Sequence, residues 1–307
     1  MAHEKVTFKK VKKYIPLYVM MIPGLAYLII NNYMPMPGLV VAFKTYNARQ
    51  GIYGSPWCGL ANFQYLFQTS DAWVITRNTI LYNVAFIVIN TILSIAVAII
   101  LSELTSRLKK FYQSVILLPH LLSTVIIAYL VYAFLCVDTG FVNKSILPVF
   151  GVEPVMWYTE TKYWPFILIF VSAWKAVGYN CIVYLATILG FDRAYYEAAT
   201  IDGCSKWQQI TKITLPMLKP TIIMLTLMAV GRIFYSDFGL FYQVPMQSGS
   251  LYPVTQTIDT YVFRGLLQLG NVSMSSAAGV YQSLVGFVLV LGANLLVRKL
   301  DPESALF

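Results

Sequence analysis

Residues 78–102 read NTILYNVAFIVINTILSIAVAIILS, running from Asn78 to Ser102 without one Asp, Glu, Lys or Arg. A helix half-exposed to water would carry charge along one face, whereas about 20 apolar residues suffice to cross hydrocarbon. The stretch is read as a transmembrane helix, and the same criterion extends outward from it. Residues 14–43, 111–137 and 271–297 are equally free of charge. Two further runs are interrupted, by Lys175 (163–191) and by Lys219 near the start and Arg232 and Asp237 further on (215–241). The expectation is an all-α polytopic membrane protein of six transmembrane helices, one domain over residues 1–307.

Composition agrees. The chain is 58% hydrophobic and 11% charged, against about 25% charged in soluble domains. A net charge of +9 invites a nucleic-acid reading, but the placement of the charges argues for topology instead. Fourteen basic residues fall in four segments assigned to one side: Lys5, Lys9, Lys10, Lys12 and Lys13; Arg107, Lys109 and Lys110; Arg193, Lys206, Lys212 and Lys219; Arg298 and Lys299. Six fall on the other: Lys44, Arg49, Arg77, Lys144, Lys162 and Arg264. The positive-inside rule puts both termini in the cytoplasm of a bacterial cell. The first span is too long for a signal peptide, contains Pro16, Pro23, Pro35 and Pro37, and lacks a small-x-small cleavage site.

Several chemistries are not encoded. No C-x-x-C pair or zinc motif occurs, and the only histidines are His3 and His120. No H-E-x-x-H and no nucleophile–base pair stands out, so no catalytic or metal residue is assigned. Cys58 and Cys136 fall near the outer face, where a disulfide is one reading and two free thiols the favoured one.

The cytoplasmic segment 192–216, with Phe191 before it, has its own grammar: FDRAYYEAATIDGCSKWQQITKITLP. Asp192 is placed to cap a helix beginning at Arg193, and Ala194, Glu197, Ala198 and Ala199 favour that helix. Gly203 stops it. Ser205 and Gln208 fit a capping box opening a second short helix, and Pro216 and Pro220 mark the start of the fifth span. The segment is expected to be a helix–turn–helix against the inner membrane face.

Glu197-Ala198-Ala199, then Gly203, then Ile213-x-Leu215-Pro216 resembles the EAA loop, E-A-A-x-x-x-G-x(9)-I-x-L-P, of permease subunits in binding-protein-dependent ABC importers. Softer similarities assign the maltose-permease-like carbohydrate branch, with LplB-like polysaccharide permeases the nearest in pattern. They lie at Gly59-Leu60-Ala61-Asn62-Phe63, Asn78-Thr79, Leu118-Pro119, Gly140 with Asn143, Thr257 to Leu266, and Leu291 to Asn294. The resemblance implies a type I ABC importer permease fold. It also implies a second, homologous permease, two ATP-binding subunits carrying ATP and Mg, and an extracellular solute-binding lipoprotein that delivers a sugar or oligosaccharide. Glu197, Ala198, Ala199, Asp202, Gly203, Ile213, Leu215 and Pro216 become the candidate ATPase-coupling residues. The chain has no G-x-x-x-x-G-K-[ST] loop to cradle phosphates itself.

The alternative is an ion-coupled secondary transporter for a small polar solute, a class that often shows paired repeats and buried acids; no repeat is found. Candidates for the substrate path come from the two charged spans. Lys175 and Tyr179 share a face on the fourth. On the fifth, Arg232, Tyr235, Ser236, Gly239 and Tyr242 would form a stripe at i, i+3, i+4 spacing, with Asp237 beside it. Charge at membrane depth is expensive, so these residues are expected to face protein or a path, not lipid. Packing against the second permease is the competing reading.

Overall fold

In the computed structural model residues 8–300 are described; Lys5 and His3 lie outside them. Among those residues the chain is helical, with one isolated bridge between Lys44 and Trp57. Helix α1 (Phe8–Leu28) runs on through a π-helical turn (Ile29–Tyr33) and, past Pro35, a 3-10 stretch (Met36–Phe43). Prolines at 35 and 37 remove donors the α-helical ladder would need. Residues 14–37 are exposed throughout, whereas Val41 and Ala42 at the end of the first span are buried.

The short helix α2 (Ala61–Gln68) leads into α3 (Ser70–Glu103), a 34-residue rod. At about 1.5 Å per residue it is roughly 50 Å long, more than the bilayer needs. Next come α4 (Ser106–Leu121), α5 (Thr124–Leu135) and α6 (Trp164–Leu189). α3 and α6 form the spine. At one end Tyr82 and Phe86 pack with Trp164, Leu168 and Val171; at the other Ala98 and Leu101 pack with Cys181, Tyr184, Leu185 and Ile188. α4 crosses α6 at Gly178, where a Cβ would collide with the Ile116 carbonyl. Small residues let backbones approach this closely, which is how helices gain packing in lipid.

The third expected span, 111–137, is not straight. α4 and α5 meet at 93°. Pro119 lies in the last turn of the first, and Ser123 caps the second, accepting from the Ile126 N–H at 3.3 Å. Neither half is long enough to cross alone. Among the described residues five helices are long and apolar enough to span a membrane, or six when this bent pair counts as one.

Beyond α7 (Arg193–Ile201), helix α8 runs over Lys206–Val230 with a π turn at Ile210–Thr214. The expected second short helix is therefore the first turn of α8, not a separate element. Pro216 lacks the N–H that residue 212 would have received, and the wider π turn absorbs the mismatch.

The fifth expected span, 215–241, needs a larger correction. α8 stops at Val230, residues 231–237 are not helical, and α9 (Phe238–Gln243) starts afresh. The proposed stripe through Arg232, Tyr235 and Ser236 does not exist as a helix face. After α9 come a one-turn helix (Tyr252–Thr255) and α10 (Ile258–Leu267), then α11 (Val272–Leu300). α9 seats Leu240 and Phe241 in the α3–α5–α6 core, with the Phe241 ring 4.9 Å from that of Tyr82. All four cysteines are free thiols.

Candidate coupling hairpin and membrane-core site

Local sequence builds the hairpin. Asp192 Oδ1 accepts from the Ala194 N–H at 2.9 Å and starts α7. Gly203 sits at φ +77°, the left-handed region that a Cβ disfavours. The Cys204 N–H then returns to the Ala199 carbonyl at 2.8 Å, closing the helix end. In the capping box the Ser205 N–H donates to Gln208 Oε1 (2.7 Å) and the Gln208 N–H to Ser205 Oγ (3.3 Å).

Cross-links make the two arms one body. The hydroxyls of Tyr196 and Thr214 lie 3.0 Å apart, and Gln209 Nε2 donates to Thr200 Oγ1 at 2.9 Å. Lys206 Nζ pairs with Glu103 Oε2 at 2.9 Å, tying the hairpin to the end of α3. Ala199 is buried within it; Glu197, Ala198, Asp202, Gly203 and Pro216 face out, and Ile213 and Leu215 are half-buried. The hairpin also presents Ile201 and Trp207 at 86% and 72% exposure. Two large apolar side chains on a polar, basic end form a surface suited to a protein partner.

The second site lies where α8 breaks. An interrupted helix at membrane depth must have its freed backbone groups satisfied by protein, and residues far away in sequence do so. Asn83 Nδ2 donates to the carbonyls of Ile233 (2.9 Å) and Tyr235 (3.2 Å). Gln282 Nε2 donates to the Phe234 carbonyl at 2.7 Å and to Asp259 Oδ1 at 3.1 Å. Asp259 Oδ2 accepts both the N–H and the hydroxyl of Ser236, each at 2.7 Å. Asp237 caps α9 by accepting from the Leu240 N–H at 3.1 Å.

Lys175 reaches this break from α6. Its Nζ donates to Thr124 Oγ1 at 2.7 Å and lies 3.9 Å from Asp237 Oδ2. The bend between α4 and α5, the charged position on α6 and the break in α8 thus meet at one point. Of the six path candidates, Lys175 and Asp237 come together as an ion pair. Ser236 is committed to Asp259. Tyr179, 54% exposed, stacks on His120 with ring centroids 4.7 Å apart. Tyr235 and Arg232 are exposed, and the Arg232 side chain has no hydrogen-bond or ion-pair partner among the described residues. Asn83, Thr124, Asp259 and Gln282 were not singled out from sequence. Their polar side chains inside apolar or loop segments were the available signal, but nothing local names their partners.

Similarity to known proteins converges on one family. Residues 72–302 match the family described as binding-protein-dependent transport system inner membrane component. Protein LplB of Bacillus subtilis is 33% identical over 290 residues, covering 94% of this chain and 90% of that protein. The polygalacturonan/rhamnogalacturonan transport system permease protein YteP of the same organism is 34% identical, covering 94% and 89%. Among solved structures, a bacterial ABC transporter involved in import of the acidic polysaccharide alginate superposes with TM-score 0.87 at 33% identity, covering 96% of this chain and 99% of that one. The alginate transporter in complex with an alginate pentasaccharide-bound periplasmic protein gives TM-score 0.86. This chain therefore belongs to the binding-protein-dependent transport system inner membrane components, as a multi-pass transport subunit of an ABC importer and not an enzyme.

Proposed function

We propose that the chain, with a second homologous permease, forms the path by which a sugar or oligosaccharide from an extracellular binding lipoprotein enters the cytoplasm. Two separate subunits hold ATP and Mg and drive alternating access. Both termini and the hairpin 192–216 face the cytoplasm, in keeping with the basic residues gathered there. The relatives named for carbohydrate transport support the substrate class.

One observation carries the coupling role: a pinned hairpin that exposes Tyr195, Ile201 and Trp207. Glu197, Ala198, Ala199, Asp202, Gly203, Ile213, Leu215 and Pro216 form or support that surface. A hairpin fastened by Lys206–Glu103 transmits a push on its tip directly to α3 and α8. At the break, Tyr179, Tyr235 and Arg232 are the groups left available to a passing sugar, while Lys175, Asp237 and Ser236 shape the wall. Reconstitution into liposomes tests the reading. Sugar uptake is expected only with the ATP-binding subunits and ATP present; uptake by the permeases alone under an ion gradient would overturn it.

A further inference from the structure

At the end of the bundle opposite the coupling hairpin, a cavity of about 210 Å³ lies between α10, the start of α11, the start of α3 and the turn at Tyr252. At roughly 30 Å³ per water it has room for about seven. Its walls include Tyr252, Gln256, Arg264, Gln268, Asn271 and Ser275.

Arg264 is the unusual member. Its side chain is buried, with the residue 6% exposed, and Nε and Nη1 have no hydrogen-bond partner. Ser275 Oγ, on the same wall, is likewise buried and unpartnered. Burial lowers the Arg264 pKa from its ordinary value, opposed by the hydroxyls of Tyr252 and Tyr242; a guanidinium keeps its charge at neutral pH regardless. The face of Tyr252 lies 3.7 Å from the guanidinium carbon and offsets part of the cost of burying it. Among the described residues no acid completes the pairing: Asp71, the one acid lining the cavity, makes no ion pair with Arg264. Buried charges are ordinarily paired, so the unpartnered donors of Arg264 suit an anion. Beside Leu269 and Met274, its walls carry a hydroxyl, amides and aromatic rings that suit a sugar.

We infer that this cavity binds the carboxylate of a sugar acid, held by Arg264 and Ser275 with the ring against Tyr252. The inference rests on the reading of the chain as a sugar importer and narrows its substrate to oligosaccharides containing uronate.

The test uses the assembled importer in nanodiscs of zwitterionic lipid, with Cys58 and Cys136 changed to Ser. Gln268→Cys then places a thiol at the cavity mouth, where Gln268 is exposed. Modification by a neutral thiol reagent is timed with galacturonate, with galactose, and with neither. For a millimolar Kd, about 10 mM galacturonate slows the reaction about tenfold by the factor 1 + [L]/Kd, and galactose leaves it unchanged. The slowing is expected to vanish in Arg264→Gln and to persist in Arg264→Lys. Equal effects of the two sugars, in protein that retains Arg264, overturn the inference. So does protection by anionic phosphatidylglycerol without any effect of galacturonate, which would assign the cavity to a lipid phosphate. Protection is read without ATP or uptake, so its failure leaves the importer reading standing.

Discussion

The hairpin at 192–216 and the break at 231–237 are both interruptions between helices, and they are held in opposite ways. In the hairpin each capping device lies within a few residues of the group it serves: Asp192 with Ala194, Ser205 with Gln208, Gly203 with its own backbone. At the break the partners come from 150 residues away in the case of Asn83 and 48 in the case of Gln282. A turn in water is specified locally, because water satisfies whatever the caps miss. A turn at membrane depth has no such reserve, so distant side chains must be brought to it by the fold.

The contrast orders the expected mutational effects. Asp259→Ala removes the carboxylate that accepts from the Ser236 N–H, the Ser236 hydroxyl and Gln282 Nε2. At about 1.5–3 kcal/mol per charge-assisted bond, it is expected to destabilise the detergent-solubilised protein by about 3 kcal/mol or more, read as a drop in thermal midpoint. A loss as small as a surface mutation gives would mean the break does not depend on this carboxylate. Gln282→Leu strands the buried Phe234 carbonyl and is expected to cost about 1–3 kcal/mol in the same assay. Adding Asn83→Ala should then cost less or more than its effect alone, since both serve one short segment; strict additivity would show that the two anchors act independently. In the hairpin, Ser205→Ala loses half a capping box, about 1 kcal/mol, visible as faster amide exchange at 205–209 and little global change. Lys206→Gln opens an exposed ion pair with Glu103, worth at most about 1 kcal/mol, and should leave the thermal midpoint nearly unmoved.

The same contrast explains what could be read from the sequence. The apolar runs gave the spans because bilayer thickness acts on length and composition alone. The hairpin was legible almost residue by residue, down to the Ser205–Gln208 box, because its physics is local. The break was not. Arg232 and Asp237 drew attention as charges inside a span, whereas they mark where the helix has already ended. Gly231 followed by Asp237, a breaker followed by a good N-cap, was the available signal. The right-angle bend in the third span likewise sat under Pro119 and Ser123. The pairing of Lys175 with Asp237 was beyond reach, because it depends on the bend and the break meeting.

Coupling through the hairpin depends most on the turn at Gly203. Proline locks φ near −65° where Gly203 adopts +77°, and Ala199→Trp overfills a buried position in the same turn. The decisive measurement is ATP-driven sugar uptake by proteoliposomes carrying the complete importer, normalised to inserted permease, for wild type and for each of these two variants. Coupling through Gly203 and Ala199 predicts normal membrane insertion with uptake reduced about tenfold or more, equivalent to about 1.4 kcal/mol of lost docking. Uptake near the wild-type rate in both variants would contradict it.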